Sequence, residues 1–257
     1  MQTASVEEVV SRIGRAAAAL PSPTVIATDA DGTIWSGDVG VDAFESLLER
    51  KAIRPQALAA LQTVAREAGM PSSDDPNEVA RVLYDACEKG AWPELAAYEM
   101  MTWVFAGWTT DEVRAFMREV IVERRLLTRM HAELHDAIEQ ARSDSLPVYV
   151  VSASPVIVVE ESVAAAGLHV AGVIAAEPAV EDHVIQPRMA SPLPYAHGKV
   201  AALLARVPGA SVAAAFGDNL FDLEMLRLAS VPVAIRPKPR LAERAHELPS
   251  MVQLAAR

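Results

Sequence analysis

Five short valine-rich apolar runs, each ending in a small or polar residue and most followed by a helical pattern, constrain this chain more than any other feature. They cover residues 24–28, 148–151, 173–176, 212–216 and 231–235. A run that short and that uniformly apolar reads as a strand buried on both faces, and strand followed by helix is the pattern of βα units wound about a parallel sheet. Helices are expected to follow at 155–166, 199–206 and 220–228. In such sheets the functional crevice opens at the carboxyl ends of the strands, so the residues just past each run carry the most information.

Between Gly40 and Ser143 the texture changes. Alanine, leucine, glutamate and arginine recur at helical spacing, and no run reads as a strand. Helices are expected near 43–50, 56–68, 77–88, 93–105, 110–127 and 130–143, with Gly69, Pro71 and Pro76 marking a break and Thr109 or Thr110 capping the fifth. This is a helical insertion in an α/β chain: residues 1–40 and 144–257 form the core, and residues 41–143 the insert. No internal repeat or low-complexity tract interrupts it. The first twenty residues read as an amphipathic helix ending before Pro21, because Glu7, Glu8, Arg12 and Arg15 break up any signal-like apolar stretch. From Arg236 onward a surface tail is expected, holding one short helix.

With 257 residues and 51% apolar side chains, the chain can bury a sizeable core and reads as a soluble globular protein. A formal net charge of -11 argues against a nucleic-acid partner, which needs a basic face. The same charge repels anionic substrates unless a cation reverses the field locally. Cys87 is the sole cysteine, so an intramolecular disulfide and a thiolate zinc cluster are both excluded, and a reducing, cytoplasmic location is expected. The apolar runs are too short to span a bilayer, so no membrane partner is expected.

Four features carry chemistry. Asp29-Ala30-Asp31-Gly32-Thr33 directly follows the first run. Two carboxylates two residues apart converge if the chain turns at Asp31, and Gly32 permits that turn. Converging carboxylates need a cation between them or a proton on one, and either condition suits phosphoryl transfer. Ser152 ends the second run, beside backbone amides such as that of Ala153 that can hold a phosphate. Lys199 sits at an expected helix start, where a cation opposes the helix dipole and an anionic partner explains its presence. Gly217-Asp218-Asn219-Leu220-Phe221-Asp222 follows the fourth run, supplying a metal carboxylate and, four residues on, a partner that orients bound water or Lys199. Taken singly, each has an ordinary alternative: an Asp-Gly turn, a serine cap, a solvated lysine, an Asp N-cap.

In order, DxDGT, then Ser, then Lys, then GDxxxD, these features resemble the four motifs of the haloacid dehalogenase superfamily of aspartate-nucleophile phosphatases, from about Thr24 to Ile235. The resemblance implies a Rossmann-like, doubly wound parallel sheet with an all-helical cap inserted after the first motif. It implies Asp29 as nucleophile, Asp31 as acid and base, Thr33 and Ser152 on the phosphoryl group, Lys199 neutralising charge, and Mg2+ held by Asp29, the main-chain carbonyl of Asp31, Asp218 and Asp222. The expected reaction is hydrolysis of a small phosphorylated metabolite. A phosphotransferase of the same mechanism and a catalytically silent phospho-ligand-binding module on the same fold remain alternatives.

The cap position is similar to that of the phosphoserine-phosphatase branch. There a glutamate past the first motif meets the substrate amine and a cap arginine clamps its carboxylate. Here Asp38 stands at the glutamate position, and residues 92–103 contain no arginine, which speaks against phosphoserine. Trp92, Trp103 and Trp108 with Tyr98 have two readings: packing within the cap, which is favoured, or an aromatic cage for a phosphocholine-like cation in which Trp103, Tyr98 and Asp38 take part. The oligomeric state is not legible.

Overall fold

All five residues of β2 (Thr24–Thr28) are buried, and a strand with no face for water needs a layer on each side. The computed structural model describes residues 1–143 and 145–256; Asp144 and Arg257, where two of the expected core bounds fall, lie outside the described residues. Among the described residues, β2 is the fifth strand of a seven-stranded parallel sheet. From edge to edge the strands are β1 (Gln2–Ala4), β9 (Val252–Leu254), β8 (Ala229–Ala234), β7 (Ser211–Gly217), β2, β3 (Val148–Pro155) and β4 (Gly172–Ala176).

Alternation along β2 sends Ile26 into one core, and Val25 and Ala27 into the other. The first core receives α1 (Val6–Ala19), α7 (Ala132–Ala141) and α8 (Val156–Ala165); α1 packs on α7, and α8 lies along β3 and β4. The second receives α9 (His197–Arg206) and α10 (Leu223–Leu228). Helix α1 forms where the sequence places it: Ser5 caps it by accepting from Glu8 N at 3.2 Å, and Val6, Val9 and Ile13 form its buried stripe.

The insertion comprises α2 (Val39–Glu49), α3 (Leu58–Glu67), α4 (Pro76–Glu88), α5 (Glu94–Trp103) and α6 (Thr110–Glu123). Thr109 and Glu112 form a reciprocal capping box at the start of α6. Phe44, Leu61, Leu83, Met100 and Phe116 from these helices share one continuous core with α1, α7 and α8. The insertion is thus seated on the sheet's helical layer through α2 and α6, which pack on α8.

Three strand features escape the sequence pattern. β1 and β9 are three residues each, too short for alternation to show, and pair Gln2 with Val252 at the sheet edge. β5 (Pro178–Glu181) and β6 (Val184–Met189) form an antiparallel hairpin whose turn residues Asp182 (φ 48°) and His183 (φ 65°) both lie in the left-handed region, without the Asn-Gly that usually announces such a turn. The hairpin hydrogen-bonds to the insertion through Ile185 N to Trp108 O and Gly107 N to Ile185 O, both 2.9 Å. The expected surface tail holds α11 (Pro239–Glu243) before β9 returns to the sheet. Among the described residues, no helix is long and apolar enough to cross a membrane.

Ile13 is fully buried where α1 meets the sheet and α7. Ile13→Ala is expected to lower unfolding free energy in urea by about 2–5 kcal/mol, while Leu95→Ala, at 43% exposure on α5, changes it by less than about 0.5 kcal/mol.

Candidate active site

The carboxyl ends of β2, β3 and β7 and the start of α9 converge on one cavity of about 260 Å³. After β2 the chain turns at once: Thr33 N and Ile34 N both donate to Ala30 O, at 3.1 and 2.7 Å. Gly32 has φ +81°, and a Cβ there would lie 2.1 Å from Asp218 Oδ2. Backbone sign and close approach thus both require glycine.

Asp29, Lys199 and Asp222 form a buried chain of charge. Lys199 Nζ donates to Asp29 Oδ1 at 2.5 Å and to Asp222 Oδ1 at 2.6 Å, with the lysine side chain 4% exposed. Asp29 Oδ2 accepts from Thr33 Oγ1 at 2.9 Å. Asp222 Oδ2 accepts from the N–H groups of Asp218 (3.1 Å) and Asn219 (3.0 Å) at the turn after β7. Gly217 admits this approach, since its Cβ would lie 2.5 Å from that of Asp222.

Asp31 is held from several sides. Its Oδ1 accepts from Val39 N (2.7 Å) and Trp35 Nε1 (2.9 Å), and its Oδ2 from Ser154 Oγ at 2.6 Å, with Ser152 Oγ at 3.5 Å. His131 braces the same turn from behind, hydrogen-bonded to Thr33 O and Ser36 Oγ, each at 2.8 Å. Burial holds this imidazole below its usual pKa, which favours a neutral bracing group.

Electrostatics follow from burial. Burial, then the Asp222 charge, raise Asp29 well above the carboxylate range while Lys199 opposes them. Burial raises Asp31 against its hydrogen bonds from Ser154, Val39 and Trp35. Burial and Asp222 push Asp218 up to about 6. For Lys199, burial pulls downward, but Asp222 and Asp29 outweigh it and leave the ammonium more basic than an ordinary lysine. The carboxylates outnumber the cations among them, so the cluster invites a further positive charge.

Oxygens of Asp29, Asp218 and Asp222 lie within 4.8 Å of one another, and Asp218 Oδ1 is buried without a hydrogen-bond partner among the described residues. Hard oxygen donors and an orphaned carboxylate oxygen fit magnesium. Asp222 is the least free of the three, because its oxygens accept three hydrogen bonds where those of Asp29 accept two.

The structure thus gathers Asp29, Asp31, Ser152, Ala153, Lys199, Asp218 and Asp222 around the cavity, along with Asp38 and Tyr98 at its insertion side. Two candidate site residues lie outside the cavity lining, the second in keeping with the favoured packing reading. Thr33 is fully buried outside the cavity lining, its hydroxyl taken by Asp29. Trp103 lies in the apolar core at 6% exposure, because its position on α5 turns it inward, and forms no part of a cage. Trp108 likewise packs edge-on against Phe105 and Phe116.

Several site residues went unforeseen. Ser154, two residues after Ser152 on the same strand face, was signalled by that spacing. Trp35 had no sequence signal. Neither did the row of rings formed by Tyr98, Tyr195 and Phe221, with centroids 5.9 and 4.5 Å apart, since they come from three separate segments. Both tyrosines reach Glu94, each at 3.3 Å.

The sequence profile of the haloacid dehalogenase-like hydrolases matches residues 26–227. The chain belongs to that family. Solved structures with the same haloacid dehalogenase-like fold include a protein of unknown function from Bordetella pertussis Tohama I, at TM-score 0.69 and 20% identity over 90% of this chain and 98% of that one. A functionally unknown protein from Anaerococcus prevotii DSM 20548 matches at TM-score 0.71 and 13% identity over 96% of this chain and 90% of that one. A substrate-bound phosphoserine phosphatase is similar at TM-score 0.51 and 17% identity, covering 91% of this chain and 94% of that one. No curated protein matches the chain. Membership makes the protein a hydrolase of the haloacid dehalogenase type, and its sheet and insertion fit that fold.

Asp38 caps α2 by accepting from Val41 N at 2.9 Å, and burial, then the Asp31 charge, push its carboxyl up to about 8. A folded pKa above the unfolded one means that stability is fully present below the unfolded value and is lost as pH climbs toward about 8. Asparagine caps as well as aspartate but cannot ionise. Asp38→Asn is therefore expected to gain stability relative to the parent as pH rises from about 4 to about 8, read from denaturant midpoints across that range. A difference that stays flat contradicts this.

Proposed function

We propose that this protein is a magnesium-dependent phosphatase that hydrolyses a small phosphomonoester through a phosphoaspartyl intermediate on Asp29. The observation that carries this reading is Lys199 buried between Asp29 and Asp222, beside an unpartnered oxygen of Asp218. Asp29, Asp218 and the main-chain carbonyl of Asp31 would hold the ion, with Asp222 behind them. Bound there, magnesium supplies positive charge that offsets the carboxylates and polarises the phosphoryl oxygens.

The chain's own groups perform the proton and bond changes. A carboxylate oxygen of Asp29 attacks phosphorus in line, and the bond from phosphorus to the alcohol oxygen breaks. Asp31 gives its proton to that oxygen; its burial-raised pKa keeps a proton available for the step. Asp31 then takes a proton from water as the water oxygen attacks phosphorus and the acyl phosphate on Asp29 opens, releasing inorganic phosphate. Lys199, the Ser152 hydroxyl and the Ala153 N–H stabilise the oxygens that do not move. Thr33 orients Asp29 and does not touch phosphate. Ser154, Trp35 and Val39 N fix the direction of Asp31.

Helices α2 to α6 act as the cap in this reading, and α7, which packs on α1, counts with the core. The alcohol end of the substrate faces Asp38, Tyr98, Tyr195 and Phe221. Among the described residues no arginine lines the cavity, so a substrate carboxylate finds no clamp there of the kind the phosphoserine phosphatases use. A cytoplasmic small metabolite fits this setting.

With a panel of alkyl phosphates and an aryl phosphate, Asp29→Asn and removal of metal by chelator are each expected to cut turnover by about a thousandfold or more. Hydrolysis that survives either treatment contradicts the mechanism. Asp31→Asn is expected to lose about a hundredfold or more with alkyl phosphates but far less with p-nitrophenyl phosphate, whose leaving group departs without a proton. Its Mg2+ affinity should stay near that of the parent. Equal losses on both esters would remove Asp31 as the acid.

A further inference from the structure

The segment Arg236-Pro237-Lys238-Pro239-Arg240 follows β8, and the phosphatase mechanism gives it no part. It nonetheless closes over Asp218. Lys238 N donates to Asp218 O at 2.8 Å, and Lys238 Nζ meets Asp218 Oδ2 at 3.0 Å. Prolines on both sides of Lys238 restrict the backbone that presents it. The lysine side chain is 53% exposed while that of Asp218 is 3% exposed, so the ammonium reaches inward from the solvent side of the cavity it lines.

Two lysines thus serve one acidic cluster in different ways. Lys199 is buried and fixed between two carboxylates, whereas Lys238 has one carboxylate partner and a long stem free to swing. Asp218 in turn has one oxygen covered by that ammonium and one buried oxygen with no partner. A divalent ion arriving at Asp218 meets a carboxylate already half neutralised.

We propose that Lys238 is a tethered competitor for Asp218: its ammonium holds Oδ2 when no divalent ion is bound and must yield that oxygen when one is, so that it sets the metal affinity of the site. The inference rests on the reading of Asp218 as a metal carboxylate. Competition of this kind lowers apparent affinity by the fraction of molecules in which the carboxylate is blocked. It also keeps the empty site from carrying an uncompensated buried charge.

The test is calorimetric titration of Mg2+ into the full chain without substrate, comparing the parent with Lys238→Met, Lys238→Arg and Arg240→Met. Lys238→Met keeps the stem and removes the charge, and is expected to bind Mg2+ about tenfold more tightly, the effect of one partly buried ion pair. Lys238→Arg, whose guanidinium grips a carboxylate through two N–H groups, is expected to bind about threefold or more weakly. Arg240→Met removes a charge two residues further along the same segment and should shift affinity by less than about twofold.

Affinity of Lys238→Met at or below the parent overturns the inference, as does an equal gain in Arg240→Met, which reduces the effect to a general field. If Lys238→Met does not fold, Lys238→Arg decides alone, and unchanged affinity there overturns it. A parent that takes up no Mg2+ overturns the metal reading of Asp218 and this inference together. A parent that binds Mg2+ with unaltered affinity in both Lys238 variants sinks this inference alone.

Discussion

The fold and the site both depend on one buried ammonium shared by two buried carboxylates. Removing either partner from such a group leaves a charge in a place with little water, at a cost of about 3–5 kcal/mol. Lys199 can meet Asp29 and Asp222 only if the end of β2, the turn after β7 and the start of α9 come to one point. Parallel pairing of β2 with β7, from Thr24 with Ser211 to Thr28 with Phe216 and with a one-residue register shift between Val25 and Ile26, brings the first two together. Gly32 and Gly217 then remove the side chains that would hold the acids apart. A lysine in the first turn of α9 opposes the helix dipole, and the two carboxylates facing it supply the compensation.

Charge imbalance turns this structural device into a site. Asp29, Asp218 and Asp222 stand against Lys199 inside and Lys238 at the rim, and the pKa values of Asp29 and Asp218 rise because burial and mutual repulsion disfavour their ionised forms. Asp31 takes its hydrogen bonds from neutral donors instead, a serine, an indole and a backbone amide, and feels Lys199 only through its charge. Two aspartates two residues apart thus receive different environments, one bonded to an ammonium and one bonded by neutral donors alone. Such a division lets one act as nucleophile while the other carries a proton.

Much of this is legible in the sequence because chemistry in a parallel α/β protein gathers at strand ends. The five apolar runs became β2, β3, β4, β7 and β8, and the residues just past them, Asp29, Asp31, Ser152 and Asp218, line the cavity. Lys199 was found by its conflict with the helix dipole. What stayed hidden depends on contacts between distant segments. β1 and β9 are too short to carry a period, the hairpin turn uses Asp182-His183, and Tyr98, Tyr195 and Phe221 meet only after folding. In the tryptophan-rich stretch helical rotation, which residue type does not fix, turns Trp103 into the core, as the favoured packing reading has it, and leaves Tyr98 facing the cavity.

A covalent bond between Asp29 and phosphorus is the most direct consequence of the proposed mechanism. Acid quenching during turnover of a 32P-labelled phosphomonoester, followed by mapping of labelled peptides, reads it without reference to rates. Label on the peptide containing Asp29, discharged by hydroxylamine and absent in Asp29→Asn, is the expected result. Steady release of phosphate by the parent with no labelled peptide, or with label on another residue, would contradict the account.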